Sequence, residues 1–449
     1  MSKPLALSPR VCAASLLLFL AIPGMARAQG IALSGVGPIN RSMAGTATAA
    51  PIDAAGAIMW NPASISGLER SEMEFGLELL LPTESISSSI EPGALGGGFP
   101  PVRLSGSDYG EPGVSSIPTV ALVHKVKNSR WTYGLGMFGV AGFQVNYAAS
   151  STNPVLLPQN NTPGGAGGLG RVYAQAEYFQ IVPTASYAVS EKFSFGFSPT
   201  ITMARLAADP LVFAPPDDAD GSGVATYPSG RGSRYSWGAG FQLGAYYITD
   251  NCWRFGFCFK SPQWFEPIRF NTENELGYPR YESLRLDYPM ILSLGTSYSG
   301  IQNWLFACDV RYFDYANTAG FGDPAAFDPT NGRVTGFGWK SILSVHTGVQ
   351  YRASDRLYLR MGYQYNDNPI NSEAVFFNIA SPLTIQHVVS TGLSYHLTDN
   401  LICSIAYLHG FENRCTGAIV NPVAGALAGT SVTTATSADA LSMGFSLRY

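Results

Sequence analysis

The residue types that most often carry out catalysis or bind metal ions are scattered through this chain of 449 residues. The histidines fall on separate predicted strands, and the sequence contains neither His-x-x-x-His nor Cys-x-x-Cys; they are His124, His346, His387, His396 and His409. No Ser/His/Asp set stands in a nucleophile context. Residues 217–221, Asp-Asp-Ala-Asp-Gly, lack the spacing and the distal Glu of a calcium-binding EF-hand. The sequence therefore predicts no enzyme activity, no metal site and no cofactor.

The composition excludes two classes of protein, disordered chains and nucleic-acid-binding proteins. Only 13% of residues are charged, against roughly 25% in a soluble globular domain. Glycine contributes 49 residues, and 12% of the chain is aromatic. Disordered chains have many charges and few aromatic residues, so the composition excludes disorder. The net charge of −4, without a basic cluster, also excludes nucleic acid as a partner.

Residues 1–28 have the pattern of a secretory signal peptide. Lys3 and Arg10 form a basic region, residues 11–22 are apolar, and Ala26-Arg27-Ala28 forms a cleavage site. No later stretch contains the 18 or more apolar residues of a transmembrane helix, so the exported chain is either soluble or a membrane-spanning β-barrel. The cysteines that remain are odd in number and lack metal-ligand spacing, which argues against a disulfide framework.

From about residue 70 the chain alternates between apolar and polar residues. In residues 72–79 the apolar set is Met73, Phe75, Leu77 and Leu79, and the opposite set is Glu72, Glu74, Gly76 and Glu78. A period of two predicts a strand with one apolar and one polar face. Similar runs are about 13 to 20 residues long, more than the roughly 9–11 that a tilted strand needs to cross a membrane. An apolar outer face with Gly, Ser and charge inside is typical of outer-membrane barrels.

The spacing of turns predicts the number of strands. Six short turns alternate with seven long connections rich in Gly, Pro, Asn and Ser; the long ones are residues 91–113, 149–170, 209–232, 273–283, 318–334, 369–385 and 415–436. This alternation predicts an all-β fold, a 14-stranded antiparallel transmembrane β-barrel with both chain ends on the short-turn side. Trp131, Trp253 and Trp304 follow short turns and predict an aromatic girdle there.

Residues 29–69 lack this alternation and consist mainly of small residues and turn formers. Such a segment is a tether, a small periplasmic domain or a plug. Because a 14-strand barrel is wider than the eight-strand size that side chains fill, we expect a plug, or hatch, inside the lumen. The predicted organisation is a signal peptide (1–28), a hatch (29–69) and a barrel (70–449).

At these residues the sequence resembles the FadL/TodX-type outer-membrane transporters of hydrophobic compounds. The hatch contains their Gly-x-Gly, small-residue, Asp-Ala-Gly-like and Asn-Pro-Ala elements, here Gly35-Val36-Gly37, residues 43–47, residues 53–56 and Asn61-Pro62-Ala63. Further similarity lies at residues 139–143, 193–197, 203–205, 338–340, 348–351, 366–370 and 407–410 and at the terminal Tyr449. The resemblance spans nearly the whole mature chain.

The resemblance implies a mechanism and its residues. Apolar substrates are captured by outer loops, enter a lumen pocket and leave sideways through a kink in the third strand, next to the hatch. The corresponding residues are the hatch motif Asn61, Pro62 and Ala63; the kink Gly139, Val140, Gly142 and Phe143; outer-loop capture residues Leu211, Val212 and Phe213; and polar head-group contacts Arg205, Arg333 and Lys340. Glycines inside a strand independently indicate bulges and bends.

We therefore expect passive uptake of long-chain fatty acids or of aromatic or aliphatic hydrocarbons across the outer membrane of a Gram-negative-type bacterium. The alternatives are a porin for small polar solutes and a structural or adhesive barrel. The expected partners are the hydrophobic substrate, outer-membrane lipids and, through Tyr449, the barrel-assembly machinery, and the expected state is a monomer.

Overall fold

The barrel wall is one closed antiparallel sheet. The structure, a computed structural model, describes residues 30–95, 102–159 and 167–449; the predicted signal peptide, residues 1–28, lies outside them. The wall strands are β1 (Glu72–Ile90), β2 (Leu104–Tyr109 and Ser115–Lys125), β3 (Trp131–Tyr147), β4 (Val172–Ala188), β5 (Phe193–Asp209), β6 (Ser236–Ile248), β7 (Trp253–Lys260), β8 (Ile291–Tyr298), β9 (Trp304–Phe313), β10 (Ile342–Arg352), β11 (Leu357–Asn366), β12 (His387–His396), β13 (Leu401–Gly417) and β14 (Thr430–Arg448).

Pairing of the first strand with the last closes the barrel. β1 pairs with β14 from Glu72↔Arg448 to Ile90↔Thr430, and its other edge pairs with both segments of β2. Closure pairs the two end strands of the sheet with each other, as a membrane-spanning sheet requires. The predicted 14-stranded antiparallel barrel is confirmed.

The two faces of the wall differ as the alternation predicts. On β1, Phe75 is 49% exposed and Leu77 42%, whereas Glu74, next to Phe75, is fully buried. The tryptophans Trp131, Trp253 and Trp304 are also exposed, at the starts of β3, β7 and β9. Each packs against a tyrosine of a neighbouring strand: Tyr187, Tyr298 and Tyr351, at ring-centroid distances of 4.9, 4.8 and 4.6 Å. The apolar side chains thus form the outside of the wall, with an aromatic belt at the short-turn end.

The long connections contain structure that the sequence pattern does not predict. Ile268–Glu273 pairs with Pro279–Leu284 in a hairpin, so predicted loop 273–283 is largely strand. Val420–Asn421 pairs with Gly425–Ala426, and Trp264–Phe265 pairs with β6. The first segment of β2 lies within predicted loop 91–113. The sequence does not predict it as a strand, because its residues, Leu-Ser-Gly-Ser-Asp-Tyr, lack an apolar alternation.

Residues 30–69, the part of the predicted hatch that the structure describes, lie inside the barrel. This segment contains helices α1 (Gly37–Ser42) and α2 (Ala54–Trp60) and a 3-10 turn, Ser64–Gly67. Pro38 lies in the first turn of α1, and the Asp53 carboxylate caps α2 by accepting a hydrogen bond from Gly56 N at 3.1 Å. Every residue of both helices is buried. No helix in the described ranges is long and apolar enough to cross a membrane.

Candidate functional site

The wall has a gap between β2 and β3. Their ladder begins at Lys125↔Thr132 and ends at Thr119↔Phe138. Beyond it, residues 115–118 still pair with β1, and β3 still pairs with β4. The two strands meet again where Glu111 N donates to Asn146 O at 2.8 Å. Within the described residues, no ladder pair joins segment 112–118 to segment 139–145.

Local sequence explains why the ladder stops. β3 carries a bulge, because its register with β4 shifts between Gly139↔Phe179 and Ala141↔Tyr178 and leaves Val140 as the extra residue. A Cβ atom on Gly139 would lie 2.7 Å from Cγ2 of Ile117, so a larger residue would push against β2. Pro118, next to the last ladder residue of β2, has no N–H to donate. The predicted kink residues therefore lie along one edge of the gap.

The start of the hatch fills this gap. Leu33 N donates to Val140 O at 2.9 Å, and Gly142 N donates to Ile31 O at 3.4 Å. Ala32 forms an antiparallel bridge with Ala141. Residues 31–33 thus replace β2 as the hydrogen-bonding partner of β3.

A cavity of about 460 Å³ lies behind the gap. Hatch residues 30–34, both gap edges and the inner wall line it, and its apolar lining includes Leu80, Ile117, Phe143, Phe179 and Leu408. Its polar lining includes Glu84, Gln144, Glu177 and Asp439. Arg41 also faces the cavity, but its Nε donates to Glu78 Oε2 and its Nη1 to Ser34 Oγ, both at 2.6 Å.

The Asn-Pro-Ala motif fastens the hatch to the wall. The Asn61 amide donates to Thr48 O at 2.8 Å and to Ala245 O of β6 at 3.0 Å, and its Oδ1 accepts from Ala63 N at 3.0 Å. On β4, Ser186 Oγ donates to Ala63 O at 3.0 Å. All three motif residues are buried. One asparagine therefore organises the hatch turn and joins it to the barrel.

A buried charged cluster on β9 forms a second attachment of the hatch to the wall, and none of the sequence motifs indicates it. Asp309 Oδ2 accepts from Ala47 N at 3.0 Å, Thr48 N at 3.1 Å and Arg311 Nη2 at 2.8 Å. Arg311 also donates through Nη1 to Ser34 O at 3.1 Å. The alternation in β9 does indicate this cluster, because Asp309 and Arg311 occupy its polar positions and their side chains therefore point into the lumen.

Glutamates of β1 bind the hatch helices. Glu72 Oε1 accepts from Ala54 N and Glu74 Oε2 from Ala55 N, both at 3.1 Å, at the N-terminus of α2. Asp53 caps the same helix, and complete burial followed by the nearby Glu72 charge raises its pKa to about 7. The acidic face that the sequence shows at residues 72–78 is therefore a docking surface for the hatch.

Glycines bring the wall backbone close to the hatch. A Cβ on Gly256 would lie 1.9 Å from Thr48 O, and one on Gly244 would lie 2.1 Å from Asn61 Oδ1. Equivalent contacts within 3 Å of hatch atoms occur on other strands, at Gly196, Gly295, Gly348, Gly362 and Gly392. These glycines, which we call the glycine ring, explain part of the high glycine content.

The predicted outer-loop residues pack against another loop. Leu211 is 1% exposed, and Val212 and Phe213 are half-buried. Val212 O accepts from Val334 N at 2.8 Å, and the Phe213 and Phe337 rings lie 5.0 Å apart. Leu211 therefore offers little surface to a substrate in this conformation.

The three residues predicted to contact the polar head group of a substrate do not form one site. Arg205 is exposed on the outer face of β5, 5.9 Å from the Tyr235 ring. Arg333 pairs with Asp328 at 3.5 Å in an outer loop, and Lys340 is exposed. None of these three residues lines the cavity.

Solved structures share this fold. The Pseudomonas putida toluene transporter TodX superposes with a TM-score of 0.63 at 16% identity, covering 93% of this chain and 99% of that chain. A Pseudomonas aeruginosa FadL homologue gives 0.68 at 15% identity, and the Ralstonia pickettii toluene transporter TbuX gives 0.64 at 16%. Both cover 93% of this chain and 99% of their own.

The sequence comparisons differ in outcome. The model of the outer membrane protein transport protein family, OMPP1/FadL/TodX, matches residues 18–449. No curated protein matches the chain significantly.

Proposed function

Since the chain belongs to the OMPP1/FadL/TodX family of outer-membrane transport proteins, we propose that it takes up hydrophobic molecules passively and releases them sideways through the β2–β3 gap. The observation that carries this proposal is the combination of an interrupted ladder, residues 31–33 across the interruption and a largely apolar cavity behind it. A substrate enters from the outer loops, occupies the cavity and leaves when residues 31–33 withdraw from β3.

The sideways route has a physical advantage for an apolar molecule. Transfer from water to an apolar medium contributes roughly 25 cal/mol per Å² of buried apolar surface. A molecule that passes from the cavity into the bilayer keeps this contribution throughout, whereas release along the barrel axis would return it to water. The buried hatch also obstructs the axial route.

The two alternative functions explain less of the geometry. A porin for polar solutes needs an open aqueous channel, but the hatch helices are fully buried in the lumen. A structural or adhesive barrel needs neither a gap nor a cavity. In the same proposal, residues 1–28 direct export, residues 29–69 act as the hatch of a monomeric 70–449 barrel, and Tyr449 is read by the assembly machinery.

Blocking the gap tests the proposal. Ile117 lies at the gap edge, and Ile117→Trp should obstruct it and lower labelled toluene or oleate uptake into proteoliposomes about tenfold. Val120→Trp is the matched control, because Val120 is 37% exposed to lipid and pairs with Met137 within the intact ladder. Equal uptake by the two variants, or a large steady ion conductance of the unmodified protein without hydrophobic uptake, would refute the proposal.

A further inference from the structure

A second cavity, of about 410 Å³, lies at the short-turn end of the barrel, and we call it the short-turn cavity. Hatch residues 50–52 and 67–70 form part of its lining, and the short-turn ends of β7 to β14 form most of the rest. Among the described residues, it shares no lining residue with the cavity behind the β2–β3 gap. The two cavities are therefore separate sites.

The lining of the short-turn cavity is mainly basic. Among its described lining residues, the arginines outnumber the carboxylates; they are Arg70, Arg254, Arg352, Arg360 and Arg448, against Glu69 and Glu72. Arg448 Nε pairs with Glu72 Oε2 at 2.7 Å, and Arg352 pairs with Asp355 at 2.9 Å. Arg254 and Arg360 form no salt bridge with any residue that the structure describes. Two cations of the cavity thus lack an ion partner.

Arg360 is buried and fixed, yet one of its donor groups is unused. The residue is 6% exposed, and its Nε donates to Gln350 Oε1 at 2.7 Å and its Nη1 to Ser394 Oγ at 2.6 Å. Nη2 donates to none of the described residues, and it is not among the fully enclosed side-chain atoms that lack a partner. Nη2 therefore belongs to the accessible part of Arg360, a residue that lines the short-turn cavity.

The nearby acidic groups do not use this donor. Asp53 and Glu74 interact electrostatically with Arg360, but within the described part of the chain neither forms an ion pair with it. Asp53 accepts from Gly56 N and Glu74 from Ala55 N, at the start of α2. Breaking or omitting the ion pair of a buried charge is costly. The retention of Arg360 at a cavity wall therefore indicates an anionic ligand.

From these contacts we propose that the short-turn cavity binds a small oxyanion, the phosphate or carboxylate group of a molecule in the periplasm, through Arg360 Nη2. Guanidinium N–H groups form short, charge-assisted hydrogen bonds with both kinds of oxygen. Arg254 adds positive charge to the same cavity. Because only the folded barrel with its docked hatch assembles this lining, binding of the anion stabilises that state.

Calorimetric titration of the detergent-solubilised protein with inorganic phosphate and, separately, with propionate tests the site at one ionic strength set by sodium chloride. We expect one of the two anions to bind and to raise the thermal unfolding temperature. Arg360→Gln should weaken this binding about tenfold, and Arg254→Gln should weaken it less. The anion that binds more tightly identifies the ligand group as phosphate or carboxylate.

Arg414→Gln is the matched control, because it removes the same charge from a side chain that is 68% exposed and does not line the cavity. The inference is wrong if neither anion binds the unmodified protein, or if chloride at the same ionic strength stabilises it equally. It is also wrong if Arg360→Gln, with unmodified circular dichroism, binds the anion as tightly as Arg414→Gln does. If Arg360→Gln does not fold, undiminished binding by Arg254→Gln overturns the inference instead.

Discussion

The guanidinium carbon of Arg311 lies 3.4 Å from the ring centroid of Trp60. Arg311 belongs to wall strand β9 and Trp60 is the last residue of hatch helix α2, so this contact joins the two parts of the molecule. Lys260 Nζ of β7 lies 4.3 Å from the same ring centroid. A desolvated cation–π contact contributes about 2 kcal/mol, and here the Arg311 guanidinium lies over the ring of a buried tryptophan. The position of the hatch is therefore set by buried charge as well as by shape.

Removal of the Asp309 carboxylate should loosen the hatch. Asp309→Ala leaves Arg311 buried without its ion partner, which costs about 3–5 kcal/mol. We expect a lower denaturation midpoint and a raised ion conductance in planar bilayers. Asp355→Ala is the control, because that carboxylate is 97% exposed and its pair with Arg352 contributes little. Equal effects of the two substitutions would contradict this role of Asp309.

The Asn61 amide should contribute measurably to stability. Asn61→Ala removes its bonds to Thr48, Ala245 and Ala63 and leaves buried backbone groups unpaired, at a cost of about 1–3 kcal/mol for each group. Urea unfolding and protease digestion of the hatch should both detect the loss. Asn331→Ala, in an exposed loop, should leave both measurements unchanged.

A methyl group in the glycine ring should displace the hatch. Gly256→Ala directs a Cβ to 1.9 Å from Thr48 O, a backbone atom that cannot turn away. We expect a destabilisation of about 1–3 kcal/mol and increased hydrogen exchange in residues 46–50. Gly232→Ala, whose Cβ would meet only Asn271 O at 4.0 Å, should behave like the unmodified protein. Unchanged exchange in Gly256→Ala would show that the hatch does not pack tightly there.

Hatch stability should fall as the pH rises toward 7. Burial and Glu72 raise the pKa of Asp53 to about 7 from 3.8, so the folded state binds a proton that the unfolded state releases. This contribution is fully present below pH 3.8, declines above it and is lost as the pH passes 7. The charges that face Asp53 are Glu72, Glu74, Arg360 and Arg448.

Thermal unfolding between pH 5 and pH 8 measures this dependence. Asp53→Asn keeps an oxygen that accepts from Gly56 N but cannot ionise, so its melting temperature should vary less with pH than that of the unmodified protein. Parallel curves for the two proteins would assign the pH dependence to another group.

The barrel could be predicted because its signal is local. Period-two alternation indicates which face of a strand meets lipid, and it therefore predicts the outward-facing aromatic residues. The spacing of turns indicates how often the chain reverses direction, and it therefore predicts the number of strands. Family membership confirms the outer-membrane transport class and the absence of an enzyme function. The alternation also indicates the outer face for Arg205, since Phe197 and Ile201 have the same parity on β5.

The cavity contacts could not be predicted in the same way. Ile31 and Gly142 both line the cavity and are 111 positions apart in the sequence, and only the return of the hatch to β3 brings them together. The burial of Leu211 likewise depends on a distant segment near Val334, which a pattern of loop residues does not report. Sequence spacing indicates which side chains of a strand face outward, but not which distant segments of the chain contact one another.

Because the gap lies between β2 and β3, the proposed release of substrate takes place on one side of the barrel. On the proposed route, a neighbouring protein seated against β2 and β3 would stop release, whereas neighbours on the remaining twelve strands would leave it unaffected. On this route, substrate uptake therefore depends on whether neighbouring membrane proteins contact the barrel at β2 and β3.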